Sequence, residues 1–139
     1  MRVLAVDLGT KRIGTAISDE LGITVRAVET IRRSSSAGDV ARLKLLVQEL
    51  GAEAVVVGLP LRMDGTVGDA AKGALSFVEK LRTELPLEVF TQDERLTSYE
   101  AERMMADRGM KRDERRKRSD EFAAMIILQD FLSTSKAKK

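Results

Sequence analysis

The sequence predicts an α/β sandwich: a five-stranded mixed sheet with its first strand central and helices packed against it. Three observations carry that expectation. Three short runs rich in Val, Ile and Thr open the chain, separated only by turn residues. Two further strand-like runs then alternate with stretches of helical periodicity, as crossover connections between parallel strands require. Neither a repeat nor a long linker interrupts the 139 residues, which suffice for one core.

"RVLAVDL", "RIGTAIS" and "ITVRAVETI" read as strands joined by "GTK" and "DELG", an antiparallel meander. "GDVARLKLLVQELG" sets Val40, Leu43, Leu46, Val47 and Leu50 at helical spacing, with Gly51 as the stop. "AEAVVVGLP" is a continuous apolar run closed by Gly58 and Pro60, the pattern of a strand buried on both faces. "LRMDGTVGD" has turn chemistry at Asp64 and Gly65, and a helix follows over about residues 69–84, ended by Pro86. "LEVFTQDE" is the fifth strand and delivers Asp93 and Glu94 at its C-terminal end. Thr97 and Glu100 have the spacing of a capping box, so "TSYEAERMMADRG" is expected to be a helix ending at Gly109. The basic run "KRDERRKR" is expected as a loop, and "SDEFAAMIILQDFL" as the last helix.

Composition narrows the chemistry. His and Cys are both absent, which excludes disulfides, thiolate nucleophiles, Cys/His zinc centres, Ser-His triads and histidine general bases. Carboxylates, hydroxyls, Lys, Arg and metals held by oxygen are left. Net charge is +2, but residues 1–110 carry 15 basic and 17 acidic groups while residues 111–139 carry 9 and 5. The basic excess lies in the 111–118 run, a candidate phosphate-binding surface, and in the terminal "KAKK", which reads as a flexible tail. The expected organisation is one domain over residues 1–134 with a basic tail at 135–139. No apolar stretch approaches the roughly 18 residues of a membrane span, and no signal-like run opens the chain, so a cytoplasmic protein without a membrane partner is expected.

In parallel α/β sheets, ligands collect beyond the carboxyl ends of the strands. Asp7 ends the first strand, Gly58 the fourth, and Asp93 and Glu94 the fifth, so three segments reach one edge. Asp120 joins them from the last helix, where it shares a face with Ala123, Ala124, Ile127 and Phe131. Carboxylates gathered at low dielectric repel unless neutralised, and in a chain without His this favours a hard divalent cation, Mg²⁺ or Mn²⁺. Two such ions can activate a water and stabilise the leaving oxygen in attack on a phosphodiester. Lys11, Arg12 and Arg95 lie beside these acids as candidate phosphate contacts, joined by Lys111, Arg112, Arg115, Arg116, Lys117 and Arg118 of the basic run. Ordinary readings stand beside these. Asp7 could cap the turn at Gly9 and Thr10, Asp120 could cap its helix, Glu94 could pair with Arg95, and Lys11 and Arg12 could be solvated hairpin charges. Asp64 reads as a turn residue, and Asp93 as either an outer ligand or a cap.

Four ordered blocks, "DLGTKRIG" (7–14), "VVVGLPLRMDGTVG" (55–68), "DERLTS" (93–98) and "SDEFAAMIILQDFL" (119–132), span nearly the whole chain. In them the sequence resembles the bacterial YqgF/RuvX family, described as Holliday-junction resolvases or as nucleases processing the 5′ end of precursor 16S ribosomal RNA. The resemblance implies a ribonuclease H-like fold with sheet order 3-2-1-4-5. It also implies acidic metal ligands at the end of strand 1, the end of a later parallel strand and the start of the last helix. Those positions fall on Asp7, Glu94 and Asp120. One departure is visible: junction resolvases of this fold carry a second carboxylate one helical turn after the last, where this chain has Ala123 or Ala124. Glu121 is adjacent but points about 100° away on a helix.

The resulting expectation is a Mg²⁺- or Mn²⁺-dependent nuclease acting on structured nucleic acid, with Asp7, Glu94 and Asp120 as catalytic and metal-holding residues. Processing of the pre-16S rRNA 5′ end stands ahead of cleavage of four-way DNA junctions. Its partners would be pre-rRNA or branched DNA and ribosome precursors, with monomer and homodimer both open. A nucleotide phosphotransferase would need two related domains where this chain offers one. A non-catalytic nucleic-acid or ribosome-associated module is the other alternative, and with aromatics at 4% it would read backbone and shape rather than stack on bases. Participation of Asp93 or Glu121 in the site is left open by the sequence.

Overall fold

The computed structural model describes residues 1–137, apart from the side chains of Ser98 and residues 135–137. Its elements follow the order β1 (Val3–Leu8), β2 (Arg12–Ser18), β3 (Val25–Arg32), α1 (Ser36–Leu50), β4 (Ala54–Leu59), α2 (Asp69–Glu84), β5 (Glu88–Asp93), α3 (Thr97–Asp107) and α4 (Arg112–Ala137). The strands form one sheet in the order β3-β2-β1-β4-β5. β1 is central, antiparallel to β2 and parallel to β4. Of the tail expected at 135–139, residues 135–137 continue the backbone of α4, and 138–139 lie outside the described residues.

Alternation along the strands sorts the core into two layers. Leu4 and Val6 of β1, Ile13 and Ile17 of β2, and Val55 and Val57 of β4 face α1 and α2, meeting Leu43, Leu46, Phe77, Val78 and Leu81. Val3 and Ala5, Ala16, and Ala54 and Val56 face the other way, onto Ala124, Ile127, Leu128 and Phe131 of α4. α3 rides on the outside of α4 through Ala101, Met105, Phe122 and Ile126. The burial of β4 on both faces explains why its sequence is an unbroken apolar run.

Helix α1 begins where Ser35 accepts a hydrogen bond from the Gly38 amide at 3.0 Å, and it ends at Gly51, whose φ of 66° is the left-handed cap expected there. Two expectations fail. Thr97 is not a cap: it lies inside the first turn of α3, buried, while Leu96 precedes the helix without a side-chain cap. The turn before α3 is held instead by Asp93, which accepts from the Arg95 amide at 3.0 Å and from the Arg95 Nε at 2.8 Å. The basic run at 111–118 is not a loop either, since α4 starts at Arg112. Arg, Lys and Glu are good helix formers, neither Gly nor Pro interrupts the run, and Asp113 and Glu114 favour the helix N-terminus, so the helix extends backwards through it.

The layer under α4 is built of small side chains, and two positions have none. Gly14 lies opposite Asp7 across the β1–β2 ladder. A Cβ added to Gly14 would come within 2.2 Å of the Asp120 carbonyl oxygen, so the α4 backbone rests directly on β2 there. Gly14→Ala should therefore lower stability by about 1–3 kcal/mol, the cost of overpacking a closed contact. Gly73→Ala, in open space within α2, should instead raise it by about 0.5–1 kcal/mol. Thermal and denaturant unfolding of the two variants beside wild type measures both.

Candidate active site

Asp7 is the next-to-last residue of β1 and points to the α4 face, in line with Val3 and Ala5. Glu94 follows the last residue of β5, its amide bonded to the Leu59 carbonyl at 3.1 Å, so its chain turns over the end of β4. Its carboxyl lies on Gly58: a Cβ there would be 2.7 Å from the Glu94 Oε2. Asp120 enters from the third turn of α4, against Gly14. The three carboxylates expected at one edge thus come from β1, the end of β5 and α4.

Their charges act on one another. Burial pushes the Glu94 carboxyl up to about 9, and the Asp7 charge, a hydrogen bond with Asp7 and the Asp93 charge push in the same direction. Asp7 is also raised, mainly by burial and further by the charge of Asp120, while its hydrogen bond with Glu94 acts the opposite way. Glu94 therefore keeps its proton at neutral pH and donates it to the Asp7 carboxylate. Asp120 is balanced differently, by an ion pair with the Arg12 Nε at 3.0 Å. Among the described residues, no group of three acidic side chains is arranged to hold a metal ion as it stands. A proton and an arginine balance the negative charge.

The cations divide into two sets. Arg95 is turned away from the trio, bonded to Asp93 and to the Met63 carbonyl at 3.2 Å, so it ties the β4–α2 loop to the end of β5. Asp64 is a turn residue, accepting from the Thr66 amide at 2.9 Å. On α4, Arg115 reaches Glu102 of α3 at 3.5 Å, while Arg118 is held along its own helix, bonding Glu121 at 3.0 Å and lying 5.2 Å from the Phe122 ring centre. Arg116 and Lys117 are exposed one turn before Asp120 on its own face, and Lys111 and Arg112 are exposed at the helix start. Lys11 and Arg12 lie in or next to the β1–β2 turn, as expected.

Sequence reasoning missed the residues that make the approach possible. Gly14 and Gly58 flank Asp7 on the two neighbouring strands, and their signal was a glycine inside a strand pattern, where a close approach is the usual cause. Arg33 and Asp39 were also missed. Buried Asp39 takes the Arg33 Nε at 3.2 Å, and Arg33 donates to the Gly9 carbonyl at 2.9 Å, which braces the turn carrying Lys11 and Arg12. A charged residue at the fourth position of a helix gives no hint of that role.

A mixed sheet in this order, with acids gathered at the end of its central strand under a final helix, defines a ribonuclease H-like domain. The sequence pattern described as RuvX, Holliday junction resolvase, matches residues 1–134, and the chain belongs to that family. A Lactococcus lactis protein named "Putative pre-16S rRNA nuclease" is 44% identical over 139 residues, covering 99% of this chain and 97% of its own. A Geobacillus kaustophilus protein of the same name is 44% identical over 138 residues, covering 98% and 100%. Among solved structures, Thermus thermophilus RuvC in complex with a Holliday junction substrate aligns with a TM-score of 0.60 at 17% identity, covering 99% of this chain and 96% of that one. The Fowlpox virus resolvase in complex with junction DNA aligns at 0.58 with 11% identity, covering 97% and 99%. These two likenesses concern the fold.

The shared proton makes stability depend on pH with a definite sign. The folded protein holds the Glu94 proton up to about pH 9, whereas an unfolded chain releases it near the ordinary value of 4.5. Between those values the native state binds more protons, so stability of the metal-free protein should fall as pH rises from about 5 to 9. Glu94→Gln should flatten this slope and raise Tm most at the alkaline end, as thermal unfolding in chelator at a series of pH values would show.

Proposed function

We propose that residues 1–134 form a nuclease domain that hydrolyses phosphodiester bonds in structured nucleic acid, using Mg²⁺ or Mn²⁺ held by Asp7, Glu94 and Asp120. The observation that carries this reading is the position of Asp7 between Glu94, with which it shares a hydrogen bond, and Asp120, whose charge acts on it, with Asp7 and Glu94 both raised mainly by burial. The donor set is all oxygen in a chain without His or Cys, which fits a hard divalent cation and not zinc. When bound, such a cation supplies an activated water and charge stabilisation at the leaving oxygen. The chain's own residues prepare the site around it. Gly14 and Gly58 let Asp120 and Glu94 close on Asp7, Arg12 neutralises Asp120 until another cation competes for it, and Glu94 gives up its proton when it ligates. Lys11, Arg12, Arg116 and Lys117 present charge to the phosphates on the same side of the sheet.

The substrate we favour is precursor 16S rRNA, at the 5′ end that the family resemblance implies, because relatives named as pre-16S rRNA nucleases match 98–99% of this chain at 44% identity. The family description favours a second reading, cleavage of four-way DNA junctions. Ala123 and Ala124, buried one turn after Asp120 where junction resolvases of this fold carry another acid, weigh against it.

Side-by-side assays of a precursor rRNA fragment and a four-way DNA junction, with and without chelator, separate the two. Cleavage of the RNA alone is expected, lost in chelator. Asp7→Asn should lower the cleavage rate at least about 100-fold while nucleic-acid binding stays within a few fold. Undiminished cleavage by that variant would refute the site. Independently of activity, Mn²⁺ should raise the Tm of the wild type and not of Asp7→Asn, since a ligand stabilises only the state that binds it.

A further inference from the structure

Two arginines face each other across the β2–β3 ladder. Arg12 and Arg32 are register partners, so their side chains leave the sheet on the same face, the one on which Arg12 meets Asp120. Like charges directly opposed destabilise a ladder, so this pair works against the fold. Arg12 has a carboxylate partner. Among the described residues, Arg32 and Lys11 have none within ion-pair distance. The three cations line an open cleft of about 720 Å³ with Thr10, Thr30 and Ser34, and no acidic residue contributes to it. Arg33 also borders the cleft, but its guanidinium is committed to Asp39 and the Gly9 carbonyl.

Unpaired cations and hydroxyl donors without a competing carboxylate are the chemistry of an anion site, and the guanidinium fork suits phosphate oxygens. The position narrows the anion. Arg12 both lines the cleft and bonds Asp120 at 3.0 Å, so the cleft borders the carboxylates directly. A strand lying across the sheet end reaches both. No aromatic residue lines the cleft, so it offers cations and hydroxyls for a backbone and no aromatic platform for bases.

We propose that this cleft is a subsite for the phosphodiester backbone of the strand, beside the bond to be cut, with Arg32 and Lys11 as its cations. It rests on the nuclease reading for the cut but not for the binding. Arg32 is an exposed binding residue outside the carboxylate site. Its cost to the ladder is the counterpart of its contact with phosphate.

The test uses the full chain and its Arg32→Ala and Arg32→Lys variants. Binding to labelled single-stranded RNA and DNA of one sequence is followed by anisotropy in chelator, over a series of salt concentrations. Arg32→Ala should bind both strands roughly 3- to 10-fold more weakly, with the salt slope reduced by about 0.7, the loss of one phosphate contact. Arg32→Lys should restore the slope. The Tm of Arg32→Ala should be unchanged or higher, and under cleavage conditions KM should rise with kcat unchanged. Wild-type affinity and slope in Arg32→Ala, or a lowered Tm with binding intact, would overturn the subsite. So would a loss confined to RNA, which would transfer the contact to the 2′-hydroxyl. Absence of cleavage by wild type with Arg32-dependent binding retained would sink the nuclease reading alone.

Discussion

The backbone contact between α4 and β2 at Gly14 is the constraint on which the rest depends. With no side chain at Gly14, the Asp120 carbonyl can sit where a Cβ would otherwise be, and Asp120 is brought to the strand that pairs with Asp7. The same device recurs on the other side of β1, where Gly58 lets Glu94 lie flat on β4. Small residues at Ala5, Ala16, Ala54 and Ala124 extend the close approach down the helix. The packing of this layer and the geometry of the acids are therefore one problem, and the acids cannot be separated by a small shift of α4 without opening the core.

Bringing three carboxylates together costs the fold, and the protein meets the cost in two ways. Glu94 keeps a proton and shares it with Asp7, while Asp120 takes Arg12. Neither arrangement is rigid. A proton leaves with pH, and an arginine more than half exposed is a weak counter-ion. Arg33 and the buried Asp39 hold the turn from beneath, so the cations of the hairpin can change partners without the hairpin moving.

Much of this was legible in the residues. The strand meander, the crossover helices, Gly51 as a stop and the convergence of Asp7, Glu94 and Asp120 follow from alternation, helical spacing and the rule that strand ends gather ligands. The capping box at Thr97 was not realised because Asp93 and Arg95 formed a competing turn two residues earlier, and a spacing rule does not see a competing donor. The run at 111–118 reads as a loop because its charges suggest solvent, whereas its helix propensity and the contact of Arg115 with Glu102 of α3 make it two turns of α4.

The sequence by itself determined which groups exist to do chemistry: with His and Cys absent, only acids, hydroxyls and cations are available, and periodicity assigns the acids to strand ends and one helix face. Tertiary structure alone decided their protonation and partners. Whether Arg12 reaches Asp120 across 108 positions, whether Arg95 turns to Asp93 or to the site, and whether Arg32 meets Arg12 in register are all set by the distance between elements remote in the chain. Charge interactions fall off with distance and solvent exposure, and neither quantity is encoded in local pattern.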